Sequence, residues 1–153
     1  MAESYPQIVG DEESVARIIF SPSYICNGRV APTAFRWNIL PSGAAEDYIS
    51  VLRGDVSNLE IETRHFKVRV EGDERYGYTL LRVGRIREIG IGNDEGIDAK
   101  VDVLSFPSKH HPNHAGIVVD IAKERVTALT PVSPEVMMVQ KELALRCSGI
   151  VKF

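Results

Sequence analysis

The chain has few of the residues and segments that mark disulfide-rich, secreted or membrane proteins. Its 153 residues include only two cysteines, Cys26 and Cys147, and no CxxC pair. Two cysteines in a chain long enough to build its own core indicate reduced thiols, with a single bridge as the alternative. The start Met1–Pro6 lacks the basic and apolar regions of a signal peptide, and no apolar run approaches the ~18 residues of a membrane-spanning helix. We therefore expect a cytoplasmic protein without a membrane partner.

Excess charge of one sign is also absent. The net charge is −3 and the pI about 5.8, which argues against a protein that coats DNA or RNA along its whole surface. Apolar residues make up 44% of the chain and charged residues 25%, as in ordinary globular proteins. We expect a loose, polar and acidic N-terminal segment over residues 1–14, followed by a single globular domain over residues 15–153.

Alternating apolar and polar residues predict β-strands along most of the chain. The predicted strands are residues 15–20, 30–40, 47–53, 61–70, 76–83, 85–91, 99–106 and 116–121. Glycine-rich turns separate several of them, including one over residues 92–96. Ser133, Pro134 and Glu135 have the order of a helix start, and apolar residues recur on one helical face after them. The expected fold is α+β: a mainly antiparallel sheet, with barrel-like closure as an alternative, carrying one C-terminal helix packed on it.

Three of the four histidines, His110, His111 and His114, lie within five residues around Pro112. Their H-x₂-H and H-x₃-H spacings occur in zinc sites, but such a site needs three or four ligands. The missing ligands would come from elsewhere in the chain, with His65, Asp102, Asp120 and Cys26 as candidates. No HExxH motif is present, so the metal ligands are unknown, and a divalent metal is a minor alternative to having no cofactor.

The same loop has the composition of a catalytic site without a metal. A histidine is the usual general acid or base near neutral pH, and Lys109 beside it would hold an anionic substrate. We name His114, His111 and Lys109 as candidate catalytic residues and His110 as a ligand-binding residue. The partner of the histidine would be a serine, Ser50 or Ser108, or a second histidine. The competing interpretation is an ordinary polar loop.

Basic residues on the predicted strands 61–70 and 85–91 form a second candidate site. Lys67, Arg69, Arg85 and Arg87, with Arg82 nearby, would line a cationic face on which tyrosines offer stacking surfaces. Single-stranded nucleic acids are bound by faces of this kind. Five glutamates in the same region favour instead the polar face of a half-exposed sheet.

Arg17 on the first strand is followed by Ser50 and Arg53 on the third. An arginine on an early strand and a serine on a later one occur in the same order in ADP-ribosyltransferase-like folds. The chain has no recognisable glutamate motif of that group, so we do not assign the family. We interpret Arg17 and Arg53 as surface residues or members of buried pairs.

Three functions are consistent with these patterns. The first is a small binding module that recognises a macromolecular partner or an anionic ligand near the His110–His114 loop. The second is a histidine-dependent hydrolase or transferase acting on a phosphodiester or nucleotide. The third is a nucleic-acid-binding domain that uses the basic sheet face.

Overall fold

The fold was described from a computed structural model, which covers residues 6–54, 56–66, 68, 70–90 and 98–153. The strands are β1 (Ser14–Ser21), β2 (Ile25–Cys26), β3 (Arg29–Val30), β4 (Ile49–Arg53), β5 (Glu74–Arg82), β6 (Ala99–Ser105), β7 (His114–Ile121), β8 (Glu124–Arg125) and β9 (Val151–Lys152). The helices are α1 (Leu59–Glu62), α2 (Val83–Arg87) and α3 (Pro134–Leu145), and a 3₁₀ turn covers Pro32–Ala34.

One antiparallel sheet organises these elements. Its strand order is β6-β7-β4-β1-β5-β9, with β8 paired to β7, while β2 and β3 form a separate hairpin. The predicted α+β class, with a mainly antiparallel sheet and a C-terminal helix packed on it, is confirmed. The sheet of described strands is open, with β6 and β9 at its edges, so it does not close into the barrel alternative.

The core lies between the sheet and α3. Strand β1 is buried along almost its whole length, because it is central in the sheet and covered on both faces. Val136, Val139 and Leu143 of α3 join Val15 and Ile19 in the main apolar cluster. Helix α3 begins as predicted, since the Ser133 hydroxyl accepts a hydrogen bond from the backbone N–H of Val136.

Three predicted strands are wrong. Residues 30–40 form the end of β3, the 3₁₀ turn at Pro32 and an irregular segment, because proline interrupts the ladder. The predicted strand 85–91 begins inside helix α2. From the start of that helix, Val83, Ile86 and Ile89 are buried at every third position, which is a helical spacing. The predicted strand 61–70 begins instead inside α1, where the hydroxyl of Thr63 donates to the carbonyl of Leu59 one helical turn earlier.

Two members of the predicted basic sheet face are on a helix and not on a strand. Arg85 and Arg87 lie on α2, where Arg85 pairs with Glu88 and Arg87 with both Asp11 and Asp102. Arg85 is exposed and Arg87 half-buried, so the spacing of two that predicted a shared face does not hold on the helix. Lys67 and Arg69 lie outside the described residues, as does the predicted turn at 92–96.

The described part of the predicted loose N-terminal segment is anchored to the sheet. Val9 is buried, and the guanidinium of Arg53 holds Glu13 through two hydrogen bonds of 3.0 Å. Arg53 also donates to the carbonyl of Pro6 and to the hydroxyl of Ser105. A side chain that is only 1% exposed thus connects the N-terminal segment with β4 and β6.

Both cysteines are free thiols. Cys26 is exposed, whereas burial raises the pKa of the Cys147 thiol to about 12, which keeps it protonated and unreactive. Among the described helices, none has the length and apolar character needed to cross a bilayer.

We expect Arg53→Ala to lower the free energy of unfolding by about 3–5 kcal/mol, because it leaves Glu13 and two other acceptors without their buried donor. Urea denaturation measures the effect. The matched control is Arg85→Ala, whose pair with Glu88 is exposed and whose loss should cost about 1 kcal/mol or less. Equal effects of the two substitutions would contradict the anchoring role of Arg53.

Stability should also depend on pH through Glu13. Burial alone would raise the pKa of Glu13, but hydrogen bonds from Arg53 and from the backbone of Gly10, with the charge of Arg53, lower it below its ordinary value. A carboxylate whose pKa is lowered by folding stabilises the native state above its unfolded pKa, and this contribution is lost as the pH falls through the lowered value.

The wild-type protein should therefore exceed Glu13→Gln in melting temperature near pH 6 and lose that advantage progressively below about pH 4.5. Thermal unfolding across this range measures it, with Glu12→Gln as the exposed neighbour for comparison. An advantage that stays constant down to pH 3 would show that the ionised form of Glu13 is not responsible.

Candidate functional site

A pocket of about 650 Å³ opens where β1 and β4 separate. These strands pair only at Val15–Arg53 and Ala16–Leu52, although both continue toward the pocket. The residues lining it come from β1, β4, the turn after α1 and the loop before β7. The volume is within the range of small-molecule and cofactor sites.

The side chain of Arg17 on β1 lies where the hydrogen bonds of a continued β1–β4 ladder would be. Its Nη1 donates to the carbonyl of Ser50 at 2.8 Å and its Nε to the carbonyl of Ala34 at 2.9 Å. The residue is only 7% exposed, and no carboxylate of the described chain lies within ion-pair distance of it. Burial lowers the pKa of Arg17 from its ordinary value, but a guanidinium remains charged in proteins. The interactions of Arg17 with Tyr24 and with the charge of Glu46 oppose this effect of burial on its pKa. The pocket thus contains a buried positive charge that Glu46 compensates through space but that no carboxylate of the described residues pairs with directly.

Ser50 and His114 form a hydrogen-bonded dyad beside this arginine. The Oγ of Ser50 lies 2.7 Å from Nε2 of His114, and Nδ1 of His114 lies 2.9 Å from the carbonyl oxygen of Phe106. Because a carbonyl oxygen only accepts, Nδ1 carries the proton and Nε2 is the acceptor for the Ser50 hydroxyl. Burial lowers the pKa of His114, although the bond to Phe106 and the charge of Glu46 oppose this, so the neutral imidazole is favoured.

The register of β4 and β7 brings these two side chains together. Ser50 is opposite Gly116, and His114 lies two residues before Gly116 on the same face of β7. A side chain at position 116 would meet Tyr48 and Phe106, since an added Cβ lies 2.7–2.8 Å from their atoms. Gly116 therefore leaves room for Tyr48 and Phe106, whose rings contact each other and of which Tyr48 also packs against the ring of His114.

Asn113 fixes the histidine loop to the sheet. Its side-chain amide donates to the carbonyl of Arg53 and its own carbonyl accepts from the N–H of Arg53. Earlier in the loop, the Ser108 hydroxyl accepts from the N–H of His111, and the N–H of Ser108 donates to the carbonyl of His111. The loop around Pro112 is thus held at both ends.

His65 and His111 meet at the rim of the pocket. Their Nε2 atoms are 3.0 Å apart, and their rings are nearly parallel with centroids 5.0 Å apart. Phe66 presents an edge-on contact to each of them. Burial lowers the pKa of His111, and the neighbouring imidazole of His65 lowers it further.

Aromatic and acidic side chains complete the lining. Tyr24, Tyr48 and Phe106 face the pocket, and the guanidinium carbon of Arg17 lies 5.8 Å from the ring centroid of Tyr24. Glu46, which is 9% exposed, lines the pocket as well. Burial raises the pKa of Tyr48, and the charge of Glu46 and a hydrogen bond with it raise it further.

The residues named from the sequence are only partly brought together. His111 and His114 line the pocket, whereas Lys109 and His110 of the same loop are exposed and do not. Asp102 pairs with Arg87, and Asp120 with Arg125, so neither reaches the histidines. Within the described residues, no group of three or more histidine, cysteine, aspartate or glutamate side chains is arranged to hold a metal ion.

Arg17 and Glu46 are functional candidates that the sequence analysis did not name as site residues: it singled out Arg17 but interpreted it as a surface residue or a member of a buried pair, and it did not consider Glu46. One signal for Arg17 was available: it is the only charged residue within the apolar run from Val15 to Phe20, and charged residues in central strands are buried only for a reason. Glu46 had no such signal, because its burial depends on its hydrogen bonds to Asn38 and Ala128 in distant loops.

Comparison with known proteins adds no assignment, since no family model, curated protein or solved structure matches this chain.

Proposed function

We propose that the protein is a hydrolase or transferase whose pocket binds a phosphate-bearing small molecule, a nucleotide or a phosphodiester. The observation that carries this proposal is the 2.7 Å contact between Ser50 Oγ and His114 Nε2, with the opposite ring nitrogen on the Phe106 carbonyl. A nucleophile hydrogen-bonded to a base that a third group orients is the arrangement of nucleophilic catalysis.

Ser50 is the nucleophile in this proposal and His114 the base. The Ser50 hydroxyl gives its proton to Nε2 of His114 as its oxygen forms a bond to phosphorus. The bond from phosphorus to the leaving oxygen breaks, and that oxygen takes the proton from His114. Water, or an acceptor alcohol in a transferase, then attacks the phosphoserine with His114 again as base, and Ser50 regains its proton.

Arg17 supports a phosphate-bearing substrate. A buried guanidinium without a direct ion pair is costly to hold in the protein interior, and Glu46 compensates its charge only through space. An anionic ligand would compensate this charge directly. Its Nη1 is bonded to the carbonyl of Ser50, so an anion bound there would lie beside the proposed nucleophile. Planar guanidinium groups suit phosphate oxygens because they donate two parallel hydrogen bonds.

The aromatic lining favours a nucleotide among phosphate compounds. Tyr24, Tyr48 and Phe106 offer ring surfaces on which a base could stack, and such stacking is worth about 1–3 kcal/mol per base. The pocket suits a small anionic ligand near the His110–His114 loop. No contact described above favours a macromolecular partner.

A second candidate reaction is supported by Glu46. This carboxylate lines the same pocket as Arg17 and Ser50, an arginine and a serine in the order found in ADP-ribosyltransferase-like folds. A carboxylate near the sugar of a bound nucleotide would stabilise the positive charge that develops when the bond at the ribosyl carbon breaks. Products distinguish the reactions: a free base arises only from cleavage at the sugar.

We expect Ser50→Ala and His114→Asn each to lower turnover by at least about 100-fold, because each removes one half of the dyad. The free energy of unfolding should change by about 1 kcal/mol, the contribution of one hydrogen bond. Chromatography of incubations with nucleotides and a chromogenic phosphodiester measures turnover, and urea denaturation measures stability.

His110→Asn is the matched control for this experiment, since it alters an exposed histidine of the same loop and should retain turnover. Wild-type protein that converts none of the substrates, or a Ser50→Ala variant with full activity, would contradict phosphoryl transfer through Ser50. Turnover that depends on Glu46 and His114 but not on Ser50 would favour the reaction at the ribosyl carbon.

Arg17→Met should weaken the binding of AMP by roughly 10- to 100-fold, the effect of losing a charged hydrogen bond. Isothermal titration measures the affinity, with adenosine as a ligand that lacks the phosphate and should bind both proteins alike. Arg17→Lys keeps the charge and separates loss of binding from loss of folding, which circular dichroism checks. Equal AMP affinity in wild type and Arg17→Met would exclude Arg17 as the phosphate ligand.

A further inference from the structure

The pair formed by His65 and His111 has no role in the reaction proposed above, although it lies at the rim of the same pocket. We propose that these two imidazoles bind a divalent transition metal of the Zn²⁺ class, with its remaining coordination positions open to the pocket. The site uses two protein ligands, one from the turn after α1 and one from the loop before β7.

The distance between the two nitrogens is close to that of a metal site. Zn²⁺ holds imidazole nitrogens at about 2.0–2.1 Å, so two of them at a tetrahedral centre lie roughly 3.3–3.4 Å apart. The Nε2 atoms of His65 and His111 are 3.0 Å apart, within hydrogen-bond distance of each other. A metal would replace this hydrogen bond after a small rotation of either ring. Both rings present the same nitrogen, Nε2, toward the shared space between them.

The two rings are held in place before any metal binds. Phe66 packs edge-on against both, with centroid distances of 5.3 Å to His65 and 5.6 Å to His111. The backbone of His111 is fixed by its hydrogen bonds with Ser108. Ligands that are already oriented lose little conformational freedom when the metal binds, which partly offsets the small number of protein ligands. Oxygen atoms of water or of a bound ligand would complete the three or four ligands that a zinc site needs.

The donor set selects the class of metal. Imidazole nitrogen suits zinc, copper and nickel, whereas magnesium and calcium require several oxygen ligands. No third histidine, cysteine or carboxylate of the described chain joins the pair in a metal-binding group. Water would therefore complete the coordination of the metal. A phosphate oxygen of a bound ligand would replace that water, a coupling that rests on the proposed function.

Isothermal titration calorimetry of the untagged full chain with Zn²⁺ alone tests the site. Wild-type protein should bind one equivalent, and His65→Asn and His111→Asn should each weaken that binding by at least tenfold. His110→Asn is the matched control, since it removes an exposed histidine of the same loop and should bind as wild type does. Mg²⁺ should give no saturable binding.

The proposal is overturned if wild-type protein shows no stoichiometric Zn²⁺ binding at micromolar to submillimolar concentrations. It is also overturned if His65→Asn binds as wild type does, or if His110→Asn loses binding to the same extent as His111→Asn. A repeat titration in the presence of inorganic phosphate should show tighter Zn²⁺ binding. Unchanged affinity would overturn the proposal that coordination positions of the metal are open to a phosphate oxygen. Repeating the AMP titration with a chelator present measures binding through Arg17 without the metal, so failure of the metal site leaves the proposed function separately testable.

Discussion

The buried guanidinium of Arg17 is the constraint on which the pocket depends. A central strand normally continues its hydrogen-bonded ladder with both neighbours, but β1 leaves β4 after two residue pairs. The carbonyl of Ser50 is then satisfied by the Arg17 side chain and not by a strand partner. Replacing the arginine by an apolar side chain would leave that carbonyl in the interior without a donor, which is unfavourable. The side chain of Arg17 thus accounts both for the opening between β1 and β4 and for the positive charge at its base.

A second arginine, Arg53, has a structural role at the end of β4. Its charge is compensated by the carboxylate of Glu13, and its other hydrogen bonds hold the N-terminal segment on the sheet. Strand β4 therefore carries a structural arginine and, three residues earlier, the proposed nucleophile Ser50. The contrast shows that a buried arginine is informative only when its partners are known: Arg53 has a direct ion pair that anchors the fold, whereas Arg17 has no direct ion pair and lines a pocket.

Elements were predicted correctly where the sequence pattern fits only one type of secondary structure. The prediction failed where the pattern fits both the period of a strand and that of a helix. Strands β1, β6 and β7 and helix α3 are long, and each has boundaries marked by turn residues or a capping serine. The segment after β5 alternates charged and apolar residues in a way that also fits a short helix, and only burial of Ile86 and Ile89 distinguishes the two. His111 and His114 were predictable from their clustering. Ser50 and His65 were each one of several candidate partners. Which candidate makes the contact was not predictable, because strand register and the position of α1 decide those contacts.

The dyad and the rim histidines belong to parts of the molecule with different freedom to change. Ser50 and His114 are fixed by the ladder between two inner strands, and Gly116 leaves space for the adjacent Tyr48 and Phe106. His65 and His111 are carried by a turn and a loop, which accept insertions and substitutions more readily than a central strand does. Variants of this chain could therefore acquire new ligand preferences by remodelling the rim while the reactive pair stays intact. In protein engineering, residues 107–112 would be the region to randomise, and β4 and β7 the region to leave untouched.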